Sequence, residues 1–306
     1  MSYHAGVLRA LDDHSDLDPT SADLMIGTSA GSVVASLLRS GWTPADLWAF
    51  VREEHPLVAE IDDLERERRR QAMLTPVKGP RARRAIGSAF VAARSMVRVP
   101  VPSLPAFVTR QFPAGMFQNA EVKERLGEVL PEEWPGESLW LVAVDVTNGQ
   151  RVVLGRREWP SLRDAVQASC AIPGVYKPVR IGDHILVDGG AHSSTHLDLA
   201  ADAGCDLIVG VAPMAYDPSS APGALQQLVR RMPSRALAKE TRHAKGRGAT
   251  VLLVRPCAEE LVVHGMDALR PDDPGAIAQA AYDRTARLLE TPRFRRVLSG
   301  ADTRAA

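Results

Sequence analysis

Cysteine is scarce in this sequence of 306 residues, and its three occurrences lie far apart. Cys170, Cys205 and Cys257 form no C-x-x-C pair, and an odd number of cysteines argues against a disulfide framework. A run of about 18 apolar residues, which a membrane-spanning helix would need, is also lacking. The first residues do not combine a basic region with an apolar stretch, so they do not resemble a signal peptide. We therefore expect free thiols in a reducing compartment, and a cytoplasmic protein that could bind a membrane peripherally.

A net charge is lacking as well. The 37 basic residues balance 37 acidic ones, which gives no reason to expect a nucleic-acid partner. The content of 45% apolar and 24% charged residues suits one large α/β domain spanning residues 1–306. The charge is uneven, however, because residues 62–98 hold ten basic and four acidic side chains. An amphipathic pattern bounded by prolines predicts a basic helical insertion or cap at about residues 60–118. It could pack on its own domain with its arginines in solvent, or lie on an anionic membrane.

Short apolar runs alternate with helical patterns along the rest of the chain. This alternation predicts an α/β fold with a mainly parallel central sheet and helices on both faces. The turn signals Asn148-Gly149 and Gly182-Asp183 join two pairs of predicted strands. The chain opens on a helical pattern at residues 1–11, so the strand that usually leads an α/β domain is predicted to be absent. The predicted strands are residues 22–27, 139–147, 151–154, 179–181, 184–187, 207–211 and 250–254.

One strand–turn–helix stretch carries a chemical pattern. Gly27-Thr28-Ser29-Ala30-Gly31 has the form G-x-S-x-G, in which a sharp turn exposes a serine hydroxyl between a strand and a helix. The glycines let the strand and the helix pass close to the turn. The N-terminus of the following helix, at about residues 29–40, would attract an oxyanion formed there. Ser29 is therefore the candidate nucleophile, although a match this short also occurs in ordinary tight turns.

A serine nucleophile needs a group that takes its proton, and the sequence offers two kinds. Asp188 ends an apolar strand and precedes Gly189 and Gly190, so it could lie in a confined pocket where burial raises its pKa. Asp-Gly is also a common turn dipeptide. A histidine would instead complete a Ser-Asp-His triad. The i,i+4 spacing of His192 and His196 occurs in some metal pairs, but no third ligand accompanies them, so we predict no metal site. The histidines after Ser29 are His55, His184, His192, His196, His243 and His264.

These motifs resemble those of the patatin-like phospholipase family. Gly27-Thr28-Ser29-Ala30-Gly31-Ser32 resembles the family's nucleophile elbow, and Asp188-Gly189-Gly190 resembles its D-G-[GA] motif. The connecting stretch at residues 168–174 and the strands before Asp188 are similar as well. The resemblance implies a serine acyl hydrolase that needs no cofactor and acts on acyl lipids and simple esters. In such an enzyme, Ser29 would attack the ester carbonyl and Asp188 would accept the hydroxyl proton.

The sequence departs from this family at its start. Family members place a glycine-rich loop before the elbow, and its backbone N–H groups form an oxyanion hole. Residues 1–28 contain no such loop, although the backbone N–H of Ala30 could still supply one donor. Loss of a single donor can lower the rate about 10²–10³-fold. We therefore expect either that the native start lies upstream or that this is a short, non-catalytic, lipid-binding member. A Ser-Asp-His esterase is a further alternative.

Overall fold

The computed structural model describes residues 1–72, 75–76, 84–85, 87–89, 115–118, 120–136, 138–220, 222–265 and 273–301. The chain divides into two compact units, and both candidate site residues, Ser29 and Asp188, belong to the second. The first unit comprises Met1–Asp23, Trp42–Ala59 and Ser193–Ala306. The second unit comprises Leu24–Gly41 and Glu60–His192. The single domain that the composition suggests stays a prediction.

A five-stranded sheet forms the centre of the second unit. Its strands are β1 (Met25–Gly27), β2 (Leu139–Asp145), β3 (Arg151–Leu154), β4 (Val179–Ile181) and β5 (His184–Asp188). They are joined in the order β1-β2-β5-β4, and β3 also pairs with β2. Six of the seven residues of β2 are buried, which explains why its sequence is almost continuously apolar. Among the described residues, β1 is the first strand of the chain.

The predicted α/β class is confirmed, but the central sheet is mixed and not mainly parallel as predicted. β1 pairs with β2 in parallel, whereas the pairs β2–β3, β2–β5 and β4–β5 are antiparallel. The short connections within β2–β3 and β4–β5 explain two of these pairs, because a tight turn reverses the chain. Gly149 and Gly182 provide the positive φ angles of 72° and 54° in these two turns, as the predicted turn signals require.

The α-helices cover much of the remaining chain. Those with defined bounds are, in chain order, α1 (Ser2–His14), α2 (Ala30–Arg39), α3 (Pro44–Val51), α4 (Pro56–Ala59), α5 (Asp63–Ala72), α6 (Ala120–Val129), α7 (Leu162–Ser169), α8 (Leu197–Asp202), α9 (Ala224–Gly246), α10 (Ala258–His264), α11 (Pro274–Leu289) and α12 (Pro292–Ala301). None of these helices is both long enough and apolar enough to cross a membrane, over the residues that the structure describes.

Helices α2 and α7 hold the site region against the sheet of the second unit. α2 contacts β1 and β2, while α7 contacts β2, β4 and β5. The contact is built from side chains that are completely buried, as expected for a close-packed core. These include Leu37 of α2, Leu139 and Leu141 of β2, Leu162 of α7 and Leu186 of β5. The ends of β1 and β5 are therefore fixed by a packed core rather than by exposed loops.

The first unit has a smaller sheet and a separate core. Strands β6 (Leu207–Val211) and β7 (Thr250–Val254) pair in parallel. Helix α1 packs against α11, and the approach is close because Gly6 has no Cβ and the carbonyl of Ala278 lies beside it. Helix α3 begins as its sequence predicts: Thr43 accepts a hydrogen bond from the N–H of Asp46, and Pro44 occupies the first helical position.

Most of the predicted basic insertion at residues 60–118 lies outside the described residues. Its described helix, α5, carries arginines that pair with acidic side chains of the same unit. Arg69 lies 3.0 Å from Glu65 and 3.3 Å from Glu128 of α6, and Arg66 lies 3.1 Å from Asp63. Exposed pairs of this kind contribute little stability, about 0–1 kcal/mol each. Most of the predicted apolar stripe at residues 82–97 lies outside the described residues, so its membrane contact stays a prediction.

Candidate active site

The register of strand β2 brings the two sequence motifs to one place. β1 runs along β2 in parallel and ends with Gly27 opposite Leu141, while β5 runs in the opposite direction and ends with Asp188 opposite Ala143. The two strand ends are therefore two residues apart along β2, which is about 7 Å at the usual rise per residue. Each end leads directly into one of the predicted motifs. The sheet thus places Ser29 next to Asp188, although 158 residues separate them in the chain.

Ser29 stands on a strained turn between β1 and α2. Its φ of 53° and ψ of −126° lie where side chains with a Cβ are rarely found, and such strain is common at functional sites. The turn also needs glycine before it, because a Cβ on Gly27 would lie 2.6 Å from the carbonyl oxygen of Gly31 and from the Cα of Ser32. The sequence pattern predicted this strand–turn–helix geometry, and the structure has it.

Two buried serines hold the strained turn in place. The Oγ of Ser169, at the end of α7, accepts a hydrogen bond from the backbone N–H of Ser29 at 3.0 Å and donates one to the carbonyl of Val142 at 2.7 Å. The Oγ of Ser32 donates to the carbonyl of Ser29 at 2.6 Å. Both hydroxyls are completely buried. Together they fix the backbone of the candidate nucleophile on both sides and link it to β2.

Ser169 supports the site, but its sequence pattern did not identify it as a site residue. It lies within the stretch at residues 168–174 that resembles the patatin-like family. Its signal was a hydroxyl among small apolar residues at a helix end, where the side chain can reach backbone groups nearby. The neighbouring thiol of Cys170 lies 3.6 Å from the Oγ of Ser32, and burial raises its pKa to about 12. This thiol therefore stays protonated at neutral pH and does not compete with the serine.

Asp188 is a buried carboxylate that the Ser29 side chain influences. It is 5% exposed, its Oδ1 accepts the backbone N–H of Gly190 at 2.7 Å, and the nearby Ser29 side chain acts to lower its pKa. Burial raises the pKa of Asp188 to about 6, and the Ser29 side chain and the N–H of Gly190 act in the opposite direction. A carboxylate with this pKa is ionised at neutral pH and is more basic than an exposed aspartate.

The two positions after Asp188 require glycine for different structural reasons. A Cβ on Gly189 would collide with the carbonyl oxygen of Val142 and lie 3.0 Å from the Cγ2 of Thr28. Gly189 therefore lets the strand end pass between β2 and the elbow. A Cβ on Gly190 would lie 3.1 Å from the Oδ1 of Asp188, a tight contact that a small shift could relieve. The first glycine is required for backbone packing, and the second leaves the carboxylate room.

Helix α2 points its N-terminus at the elbow. The N–H groups of Gly31 and Ser32 donate to the carbonyls of Thr28 and Ser29 at 2.9 and 2.8 Å. The N–H of Ala30 donates to no acceptor within the part of the chain that the structure describes. The positive end of the helix dipole and this free donor together favour a negative charge beside Ser29. This is the predicted backbone donor.

Three of the six histidines considered as alternative bases pair with acidic side chains or pack against an aromatic ring. His184 Nδ1 lies 2.7 Å from Asp145 Oδ2, which raises the pKa of His184, and His243 Nε2 lies 2.8 Å from Asp202 Oδ1. His264 packs edge-on against a tyrosine ring, and burial lowers its pKa to about 4. The groups that act on the pKa of Asp188 include no histidine in the described part of the chain.

The remaining three histidines are placed by their backbone or by ring stacking. The ring of His55 stacks on Trp42 with 4.7 Å between centroids. The N–H of His192 donates to the carbonyl of Gly189 at 2.9 Å and ends the short 3₁₀ turn after Asp188. His196 precedes α8 with a φ of 53° and is completely buried. None of these observations gives a histidine the role of base.

One cluster in the first unit has the composition of a metal site. His196, Asp198 and Glu240 each offer a ligand atom, and these atoms lie within 4.8 Å of one another. The Oε2 of Glu240, however, already accepts hydrogen bonds from Thr195 Oγ1 at 2.7 Å and from the N–H of Leu197 at 3.0 Å. Glu240 thus serves as the cap of α8, and this role accounts for its buried carboxylate.

Comparisons with known proteins show a family to which most of this chain is similar. The family described as patatin-like phospholipase matches residues 1–201, a range that includes Ser29 and Asp188. Among solved structures, the chain is similar to VipD from Legionella pneumophila with 14% sequence identity and a TM-score of 0.40. That match covers 94% of this chain and 64% of the VipD chain, so this chain spans less than two thirds of that protein's length.

Proposed function

Because this chain belongs to the patatin-like phospholipase family, we propose that it is a serine hydrolase that cleaves acyl ester bonds of lipids. The observation that carries the proposal is the placement of the strained Ser29 turn beside the buried carboxylate of Asp188, at neighbouring strand ends of one sheet. The assignment as a phospholipase A or a lysophospholipase of the esterase type, using a Ser-Asp dyad, is part of this proposal. Its location in the cytoplasm and peripheral membrane contact through residues 62–98 are further parts of it.

The proposed reaction begins at the Ser29 hydroxyl. Its Oγ attacks the carbonyl carbon of the ester while Asp188 accepts the hydroxyl proton. The bond to the alcohol then breaks, and Asp188 returns the proton to the leaving oxygen. In the second half, water attacks the acyl-serine ester and gives a proton to Asp188. The bond between the acyl carbon and Ser29 Oγ then breaks, Asp188 returns the proton to that oxygen, and the carboxylic acid is released. The pKa of about 6 supports this role, since Asp188 is ionised at neutral pH and is still basic enough to assist.

Charge on the tetrahedral intermediate would be stabilised by helix α2. The N–H of Ala30, the first residue of α2, is the donor that the elbow offers. The positive end of the helix dipole adds to its effect on a negative charge. One such donor contributes about 10²–10³-fold to the rate of related reactions. Residues 1–28 contain no glycine-rich loop to add further donors.

Strain at Ser29 fits the same proposal. The Ser29 backbone has a positive φ, and the hydroxyl of Ser169 holds this turn by accepting the Ser29 N–H. A pre-set nucleophile loses little entropy when substrate binds, which lowers the barrier of an acyl transfer. An ordinary strand–helix turn would need neither the strain nor the buried support.

Hydrolysis of a water-soluble ester tests the proposal without requiring a lipid surface. We expect the wild-type protein to release p-nitrophenol from a short-chain ester, and Ser29→Ala and Asp188→Asn to lower the rate about 10²–10⁴-fold. Asp183→Asn serves as the matched control, because Asp183 is an exposed aspartate in the turn before β5. Normal activity of Asp188→Asn, with loss only on changing a histidine, would replace the dyad by a Ser-Asp-His esterase. Absence of Ser29-dependent hydrolysis would refute the proposed enzyme activity and favour the alternative of a non-catalytic, lipid-binding protein.

A further inference from the structure

An apolar stripe lies exposed on helix α9 of the first unit. Leu225, Leu228, Val229 and Met232 recur at three- and four-residue steps, so they share one face of the helix. Their exposed fractions are 61%, 66%, 55% and 70%. A different side of the helix packs inward, with Arg230, Leu237, Glu240 and Ala244 buried. Helix α9 therefore has two different faces, and the outward one carries large apolar side chains in water.

A neighbouring helix extends this apolar surface. The Nε2 of Gln226, in the first turn of α9, donates to the carbonyl of Leu261 in α10 at 2.8 Å. This contact brings Val262 and Val263, which follow Leu261 directly, close to the beginning of the stripe. They are 80% and 42% exposed. Grouped apolar side chains on a surface mark interaction sites more often than scattered ones do.

Positive charge accompanies the stripe along the same helix. Arg231, Arg235, Lys239, Arg242 and Lys245 are exposed, and Glu240, the acidic residue of α9, is buried. Asp202 lies only at the far end of the helix, where it pairs with His243. Apart from Arg231, these cations follow the stripe along the helix, and exposed apolar and cationic side chains on one helix are typical of helices that lie in the plane of a membrane. A second copy of the chain fits less well, because its own cations would meet these.

We propose that the outward face of α9, with the valines of α10, docks the protein onto anionic lipid membranes. The apolar side chains would enter the boundary between head groups and acyl chains, and the cations would contact the anionic head groups. This inference rests on the proposed function only for the choice of a lipid partner. The docking surface does not include residues 62–98, for which the sequence leaves open either a cap on its own domain or a membrane contact.

Vesicle flotation tests the surface independently of catalysis. Wild-type protein and the double variant Leu228→Glu/Met232→Glu are mixed with vesicles of phosphatidylcholine containing about one third phosphatidylserine. We expect the variant to bind at least about tenfold more weakly, because two carboxylates enter the apolar face. Leu57→Glu is the matched control, since Leu57 is a 48% exposed leucine of α4 and its change should leave binding intact. Raising the salt concentration should weaken wild-type binding, because it screens the cationic row.

The outcomes separate the alternatives. Equal binding by the α9 variant and the wild type would overturn the proposal, whether or not charge reversal at Arg66 and Arg68 of α5 abolishes binding. A wild-type protein that does not bind these vesicles would overturn it too. So would a wild-type dimer in gel filtration that the α9 variant converts to a monomer, because the face would then be a contact between copies. Hydrolysis of the soluble ester, measured in parallel, should be the same in the α9 variant and the wild type. If neither protein hydrolyses the ester, the proposed function is refuted, but the result of the vesicle experiment still holds.

Discussion

The buried carboxylate of Asp188 should make the folded protein less stable at neutral pH, and replacing it should relieve that cost. Its pKa is about 6 in the folded protein, against the ordinary value of 3.8. Because the pKa is raised on folding, the protonated Asp188 carboxyl stabilises the folded state. This contribution to the free energy of unfolding is fully present below pH 3.8 and is lost as the pH rises through about 6. The difference corresponds to about 3 kcal/mol at pH 8. Asp188→Asn removes the charge while keeping the shape of the side chain.

Urea unfolding of both proteins at pH 4 and pH 8 measures this effect. We expect the free energy of unfolding of Asp188→Asn relative to wild type to increase by about 2–3 kcal/mol between the two pH values. The comparison across pH cancels any constant effect of the new amide group, and Asp183→Asn controls for removal of an exposed aspartate. A relative stability that is the same at both pH values would refute the buried, high-pKa carboxylate. Ester hydrolysis by the wild type should rise with pH through about 6, since the base must be ionised.

Three further predictions concern the residues around the site. Ser169→Ala should lower the free energy of unfolding by about 2–4 kcal/mol, because two backbone groups lose a buried partner, and should also slow ester hydrolysis in folded samples. Gly189→Ala should unfold at a much lower temperature in thermal melts than Gly190→Ala, since only the first Cβ meets a backbone carbonyl; equal losses would contradict that packing. The pair of His184 and Asp145 should stabilise the fold best between their two pKa values, the first raised and the second lowered. The stability advantage of wild type over His184→Gln should therefore fade above the raised pKa of His184, which pH-dependent unfolding measures.

Much of the site could be predicted because its motifs are recognisable in short stretches of the sequence. The glycines around Ser29 and after Asp188 occupy positions where a Cβ would collide, so the motifs are visible without knowing the fold. The alternation of strands and helices likewise gave the α/β class. Neither observation required knowledge of which strands are neighbours.

The pairing of strands and the support of the elbow could not be predicted in this way. The register of β1 and β5 on β2 depends on packing across the whole sheet, so the sequence could propose Ser29 and Asp188 together only by resemblance. Ser169 bridges Ser29 and Val142 through space, and a serine at a helix end has no distinctive pattern. The exposed stripe on α9 was missed because an amphipathic pattern does not tell which face is buried.

Labelling with a fluorophosphonate tests the central claim that Ser29 is an activated nucleophile. The probe reacts covalently with activated serines, and mass spectrometry of the digested protein locates the adduct. We predict one adduct on the peptide that contains Ser29, formed faster above pH 6 than below it and strongly slowed by Asp188→Asn but not by Asp183→Asn. An unlabelled Ser29 in a folded sample, or labelling that Asp188→Asn leaves unchanged, would contradict the proposed dyad.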